Sequence, residues 1–546
     1  MFIEGLPIYS IIRVHEFDAI HIFLTCKSRA TFHLGSAMNK LKSSARQQKE
    51  EARFTSTPAT ITTPKPNTPA DAKFRSQTLK IVVIALLIDI LAFTIILPLF
   101  PRLIAHYETV DGQNPESFYY SAAMAVKAFR ERIGGSGSRL DIILFGGFLG
   151  SLFSFLQFLS SPIIGNLSDR FGRRNVLLIS MIGNAVSMLL WIFSGSFTVF
   201  VWSRIIGGLT EGNVQMSIAI ISDITSPKDR SKALAWVGIS FALGFTIGPP
   251  LGAYLASFDI HQIYPYLPVN RYSSPALFAF GLIAFETVYL YAYLPETSSL
   301  SMAGDFTNAS SQEPSTKVNA TSKSSKTTTS TSHSRSTSSK DSKNRLSVLS
   351  LIHFAFLFSF SGMEFTLTFL THDRFDFTPV QQGKLLAFMG VLSALIQGGY
   401  VRRVSHKYVS EQTLILQGII SCAIGLLVVG VWATNITRLY IGVAFLAFTS
   451  GTVVNSLTSL ASLVNQDSDE HSGHSTETKS NRGHTLGVFR SHGQLGRSIG
   501  PILACSGYWI AGSSNMYMAA TGVMALLGLV VYFMIPRPAL KPMKQD

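Results

Sequence analysis

Apolar residues in this chain come in stretches of about 20 with few charges, the length at which an α-helix crosses a ~30 Å hydrocarbon layer. About twelve such stretches, taken as spans 1 to 12, cover residues 79–100, 142–164, 175–194, 198–221, 233–257, 276–294, 347–370, 381–401, 413–433, 439–464, 486–509 and 516–535. With 47% hydrophobic and only 14% charged residues, the chain is too apolar for an ordinary soluble protein. The expected fold class is an all-α membrane protein of twelve transmembrane helices in two six-helix, pseudo-symmetric bundles.

The connection between spans 2 and 3 is the most informative short segment. Gly165-Asn-Leu-Ser-Asp169-Arg170-Phe-Gly172-Arg173-Arg174 packs several charges between two apolar runs. Arg170, Arg173 and Arg174 would hold it on the cytoplasmic side, and Gly165 and Gly172 let the chain reverse. The other predicted inner loops are also basic, with Lys228, Arg230, Lys232, Arg402, Arg403 and Lys407. The net charge of +14 therefore reads as membrane topology rather than nucleic-acid binding. Both termini are expected in the cytosol, in a multi-pass protein of the plasma membrane or an internal membrane. Three cysteines give no disulfide framework. The opening segment, interrupted by Glu4, Arg13 and Glu16, does not read as a cleavable signal.

Composition divides the chain further. Residues 1–78 read as a disordered tail and 79–297 as a first six-helix bundle. Residues 298–346 form a Ser/Thr/Lys-rich linker, 347–537 a second bundle with a polar insert at 465–482, and 538–546 a tail. The halves are related: Arg230, Gly238, Gly244, Gly248 and Pro249 align without a gap with Arg482, Arg490, Gly496, Gly500 and Pro501. A six-plus-six duplication suits alternating access, in which two bundles rock about a site between them.

Ionisable residues inside spans are costly and mark function. Asp89 lies about 15 Å into span 1, near the midplane. Desolvation and a neighbouring arginine act on such a carboxylate in opposite senses, and their competition lets it take and release a proton. Arg204 in span 4 needs a partner, with Glu211 two turns along the same face and Asp89 in span 1 as the candidates. The bland alternative has Arg204 snorkelling to the outer surface. Glu286 in span 6 and Glu364 in span 7 are further intramembrane carboxylates. Arg490 and Arg497 share one face of span 11: Arg490 is assigned to a gate near the cytosolic end, Arg497 to an anionic substrate. Asp169 suits that gate by meeting the positive start of span 11. In span 5, Gly244, Gly248, Pro249 and Gly252 permit close helix contact and bending, and a plain packing interface is the competing reading.

No nucleotide-binding P-loop and no hydrolase or zinc-protease motif occurs, so neither an enzyme nor ATP-driven transport is expected. No cofactor or metal is called for. His471 and His474 in the polar insert read as a solvated loop.

The signature segment resembles the loop between helices 2 and 3 of the major facilitator superfamily. Span 1 with Asp89, the span 4–5 block, the span-7 block and Gly487–Pro501 resemble the eukaryotic tetracycline-transporter-like members, implicated in drug and organic-anion efflux. The resemblance covers residues 79–536. It implies that Arg204 matches the span-4 arginine of proton-coupled facilitators and that the span-5 glycines match the antiporter motif. The implied activity is proton-coupled antiport exporting small amphiphilic organic compounds, anions included. Asp89 would carry the proton, with Arg204 and Glu211 modulating it, and the substrate would lie between spans 1, 4, 5, 7, 8, 10 and 11. The expected partners are a small-molecule substrate, protons and membrane lipid, with no nucleic acid, and the expected state is a monomer. A uniporter or symporter and a non-transporting receptor or scaffold are the alternatives.

Overall fold

The computed structural model describes residues 69–96, 99–132, 138–226, 229–260, 266, 269, 272–297, 333–405, 409–464 and 482–535. All belong to one compact unit, Asn67–Asp546, and among them helices are the sole regular element. The expected tail up to residue 68, the linker through 332, the polar insert 465–481 and the segment after 535 lie outside the described residues.

The first half contains span 1 (Pro69–Ile95), span 2 (Ser138–Phe171), span 3 (Arg173–Ile192), span 4 (Phe197–Thr210 and Asn213–Ile224), span 5 (Arg230–Leu255) and span 6 (Ser273–Tyr293). The second half contains span 7, inside His333–Phe375, and span 8, Pro379–Leu395 continuing as π-helical turns over Ile396–Ser405. Span 9 is Glu411–Leu427 with a π-helical end, Val428–Trp432, and spans 10 to 12 are Ile436–Leu463, Arg482–Ala511 and Ser513–Met534. Ten helices among the described residues are long and apolar enough to cross a membrane. Span 4, which is broken, and span 11, which carries arginines and histidines, complete the twelve.

Each half has its own apolar core. One is built around Leu86, Trp191, Phe200 and Ile283, the other around Phe356, Cys422, Leu446 and Met524. The halves meet where span 2 runs along span 11 and span 5 along span 8. Small side chains let span 11 approach: Ser491 Oγ donates to the Phe158 carbonyl (2.7 Å) and Ser498 Oγ to that of Ser151 (3.1 Å).

The glycines of span 5 face span 1. A Cβ at Gly244, Gly248 or Gly252 would run into Ile90, the Thr94 hydroxyl or the Ile95 carbonyl. Thr94 Oγ1 donates to the Gly244 carbonyl at 2.9 Å. In the second half, Gly496 and Gly500 of span 11 meet the backbone of Phe354 and Phe358 in span 7 in the same manner. The sequence repeat is thus a repeated helix contact, span 5 on span 1 and span 11 on span 7. Pro249, Pro250 and Pro501 lie inside unbroken helices.

Four expectations need correction. Span 4 is not continuous: its helix stops at Thr210 and restarts at Asn213. Gly212 sits at the break in close contact with neighbouring spans, where a Cβ would strike the Ser180 hydroxyl and Ile164. Spans 1 and 7 start earlier than their apolar runs, at Pro69 and His333. A helix already nucleated by apolar packing extends into polar sequence at little cost. The first outer connection, a long loop by sequence, contains the helices Phe100–Asp111 and Phe118–Arg132. Leu103, Ile104 and Tyr107 are buried, and Asp111 Oδ2 accepts the Phe197 N–H (2.7 Å) at the start of span 4. The signature segment, finally, is hardly a loop. Span 2 stays helical to Phe171, and the chain turns at Gly172 alone, whose φ of 93° favours glycine. Gly165 serves contact rather than reversal, since a Cβ there would strike the Gly483 carbonyl of span 11.

Candidate functional site

A cavity of about 280 Å³ lies between the halves. Its first-half wall includes Asp89 of span 1, Gln157 of span 2, and Glu211 and Gln215 at the break in span 4. Its second-half wall includes His353 and Glu364 of span 7, Asn455 of span 10, and Arg490 and Arg497 of span 11. Phenylalanine rings, among them Phe93, Phe153, Phe241 and Phe360, share the apolar lining with aliphatic side chains and methionines. The expected set of lining spans is present, and span 2, which sequence reasoning omitted, joins it.

Asp89 is 5% exposed and faces this interior, not the lipid side. Its Oδ1 accepts a hydrogen bond from Asn213 Nδ2 at 2.8 Å. Asn213 opens the second helix of span 4, so the break in that span brings its side-chain amide to the carboxylate. Glu211, at the end of the first helix, accepts from Asn184 Nδ2 of span 3 at 3.0 Å. Irregular backbone at membrane depth is tolerated where it lines a cavity.

Arg204 did not find the partners expected of it. Among the described residues it makes no salt bridge with Asp89 or Glu211. Its guanidinium lies between two rings, 5.0 Å from the centroid of Phe153 and 4.7 Å from that of Trp191. At 2% exposure it does not snorkel to a surface. Two aromatic faces stabilise a desolvated cation electrostatically, which accounts for a charge at this depth. Arg204, Asp89, Glu211 and Asn184 nonetheless border one small cavity of about 20 Å³. Glu286 of span 6, 2% exposed, has Oε2 without a hydrogen-bond partner among the described residues.

Arg490 also moves from its expected place. It lies in the wall of the central cavity that Asp89 and Glu211 also line. Two helical turns separate it from the end where the signature segment lies. The residue of span 11 at that end is Arg482, one helix start away from where the reading placed the gate. Arg497 stands 4.0 Å from Glu364, both half-buried in the cavity wall. Among the described residues neither Arg490 nor Arg497 makes a hydrogen bond through its guanidinium.

The signature segment ties the halves together. Asp169 Oδ1 and Oδ2 accept the backbone N–H groups of Gly483 (2.9 Å) and His484 (2.8 Å), at the start of span 11. The expected meeting of Asp169 with that helix start is what the coordinates show. Arg173 pairs with Asp169 (2.7 Å) and with Asp223 at the end of span 4 (3.0 Å), and Arg482 reaches the same Asp223 (3.5 Å). Arg173 also donates to Ser168 Oγ. Glu296, just past span 6, accepts the N–H groups of Arg173 (2.9 Å) and Arg174 (3.1 Å), capping span 3. Arg174 stacks over Tyr291, and Arg170 is exposed. Arg230, the repeat counterpart of Arg482, donates to the Ser462 carbonyl at the end of span 10 (3.2 Å). Each half therefore sends one arginine, from the start of span 5 or 11, to the end of the other half's span 10 or 4. Asp223 and Ser462 were not singled out by sequence, Asp223 having only its charge at a span end as a signal, and Glu296 stood out only as part of Pro295-Glu296-Thr297 at the end of span 6.

The model of the Major Facilitator Superfamily matches residues 82–476. The chain is 33% identical over 481 residues to "Major facilitator superfamily domain-containing protein 10" of Mus musculus, covering 87% of this chain and 97% of that protein. It is 26% identical over 281 residues to the class B tetracycline resistance protein of Escherichia coli, covering 52% of this chain and 62% of that one. Among solved structures it resembles that of the human organic anion transporter MFSD10 (TETRAN), with a TM-score of 0.66 and 31% identity, over 85% of this chain and all of the other.

Proposed function

The chain belongs to the Major Facilitator Superfamily, and on that premise we propose that it is a proton-coupled antiporter exporting small amphiphilic organic anions. One observation carries the reading. Arg490 and Arg497, whose guanidinium groups make no hydrogen bond among the described residues, line a largely apolar cavity whose facing wall holds Asp89 and Glu211. Cations placed this way suit a carboxylate attached to an apolar body. The facing carboxylates are suited to carry protons, and the small cavity shared by Asp89, Arg204 and Glu211 has room for about one water to relay them.

Alternating access follows from the two ends of the site. The ties of Asp169, Arg173, Asp223 and Arg482 close the halves at the signature end, which the basic loops assign to the cytosol. Breaking them opens the cavity there. The span-5 glycines and Pro249 give the helix against span 1 a close-packed hinge. The relation to the human organic anion transporter and to a tetracycline resistance protein supports an amphiphilic cargo. Binding of membrane lipid remains a separate expectation of the same reading, as do a monomeric state and cytosolic termini.

The test is reconstitution of the full chain in liposomes loaded with 2-naphthoate, with the neutral 2-naphthamide as control. An imposed pH gradient, acidic on the receiving side, should drive efflux of the acid and not of the amide. Efflux of naphthoate with no response to the gradient would favour a uniporter and defeat the antiport reading.

A further inference from the structure

Arg497 and Glu364 form the only ion pair between cavity-facing residues among the described ones, and its geometry is loose. The closest approach, Nη2 to Oε2, is 4.0 Å, beyond hydrogen-bond range. The side chains are 38% and 35% exposed, so cavity space touches both. They come from different helices of the same half, spans 11 and 7, which pack along each other through Gly496 and Gly500. That packing fixes the spacing of the two groups independently of how the halves rock.

A guanidinium offers five donors in a planar fork that matches a carboxylate held by two parallel hydrogen bonds. Glu364 leaves that fork unfilled. Arg490, two turns away on the same helix, adds a second cation to this side of the cavity. A guanidinium placed this way needs a counter-charge, because an unpaired cation in a membrane interior is costly. It also needs that counter-charge to be displaceable.

We propose that Glu364 is an internal counter-anion: its carboxylate holds the place on Arg497 that the carboxylate of an organic-anion substrate takes on binding. The inference rests on the organic-anion reading of the cavity and adds a specificity device to it. Glu364 sets a threshold that a ligand must exceed. A carboxylate able to fill the fork passes it; a neutral isostere gains nothing from Arg497 and does not displace Glu364. Release of Glu364 into the cavity then records that the anion site is filled.

The test uses the purified full chain in lipid nanodiscs and measures Kd for 2-naphthoate and 2-naphthamide. In Glu364→Gln, naphthoate should bind about tenfold more tightly while naphthamide is unchanged, because the competing charge is gone and the shape is kept. In Arg497→Gln, the preference for the acid over the amide should be lost, and adding Glu364→Gln to that variant should bring no further gain. Arg497→Lys, which keeps the charge without the fork, should retain part of the preference and serves as the check if Arg497→Gln does not fold. Weaker or unchanged naphthoate binding in Glu364→Gln overturns the inference, as does an equal gain without Arg497. If wild type itself bound acid and amide alike, the organic-anion reading would fall and this inference with it.

Discussion

Arg204 shows how a single residue can be conspicuous in sequence while its environment is not. A guanidinium in the middle of a span demanded an explanation, and carboxylates were the natural candidates. The explanation is aromatic instead, a sandwich between Phe153 of span 2 and Trp191 of span 3. No spacing rule within span 4 could name partners from other helices. A planar cation is what such a slot accepts. Arg204→Lys keeps the charge but not the stacking, and should lower stability by about 1–2 kcal/mol, read as a fall in the melting temperature of the purified protein. An unchanged melting temperature would mean that the rings contribute only space. Asp169 illustrates the opposite situation. Its place at the start of span 11 was legible, because an acid beside a short basic turn and a helix start across the interface are both sequence-local features.

At the scale of elements, apolar run length located most of the helices, and the glycine repeat marked faces that make close helix contact without naming their partners. What run length could not show was the interruption of span 4 or the helices in the first outer connection. At the break, Ser180 and Ile164 of neighbouring spans pack against Gly212, contacts that lie outside span 4's own sequence. The outer helices carry their signal in the spacing of Leu103, Ile104 and Tyr107, a helical face that was there to be read. The glycine contacts make a direct prediction. Gly248→Leu forces a side chain against Thr94, whereas Gly281 of span 6 has open space around its Cβ position. Gly248→Leu should destabilise by about 1–3 kcal/mol or more, since overpacking displaces backbone, and Gly281→Leu should leave thermal stability and folded yield near wild type. Equal losses at both sites would remove span 5 packing from the account.

For the whole molecule, the proposed reading makes the two arginines that cross between halves and the acid that caps span 11 a latch at one end of the transporter. Asp169→Asn removes the charge from two backbone hydrogen bonds and from the Arg173 pair. Hydrogen bonds to charged groups are worth about 1.5–3 kcal/mol each, so the closed arrangement should lose population. Labelling of Leu486→Cys by an impermeant thiol reagent from the signature side should rise in that variant; labelling unchanged would show that the latch lies elsewhere. Charge movement gives a second check on the full cycle. One proton exchanged for one monoanion moves two elementary charges, each worth about 2.3 kcal/mol per 100 mV. A potential negative on the substrate-loaded side should therefore accelerate naphthoate efflux, and indifference to potential would exclude that stoichiometry. The most direct measurement compares wild type with Asp89→Asn in liposomes, scoring both pH-driven naphthoate efflux and naphthoate-for-naphthoate exchange. The account predicts that the variant keeps the exchange and loses the pH-driven efflux; a variant that responds to the pH gradient as wild type does would contradict it.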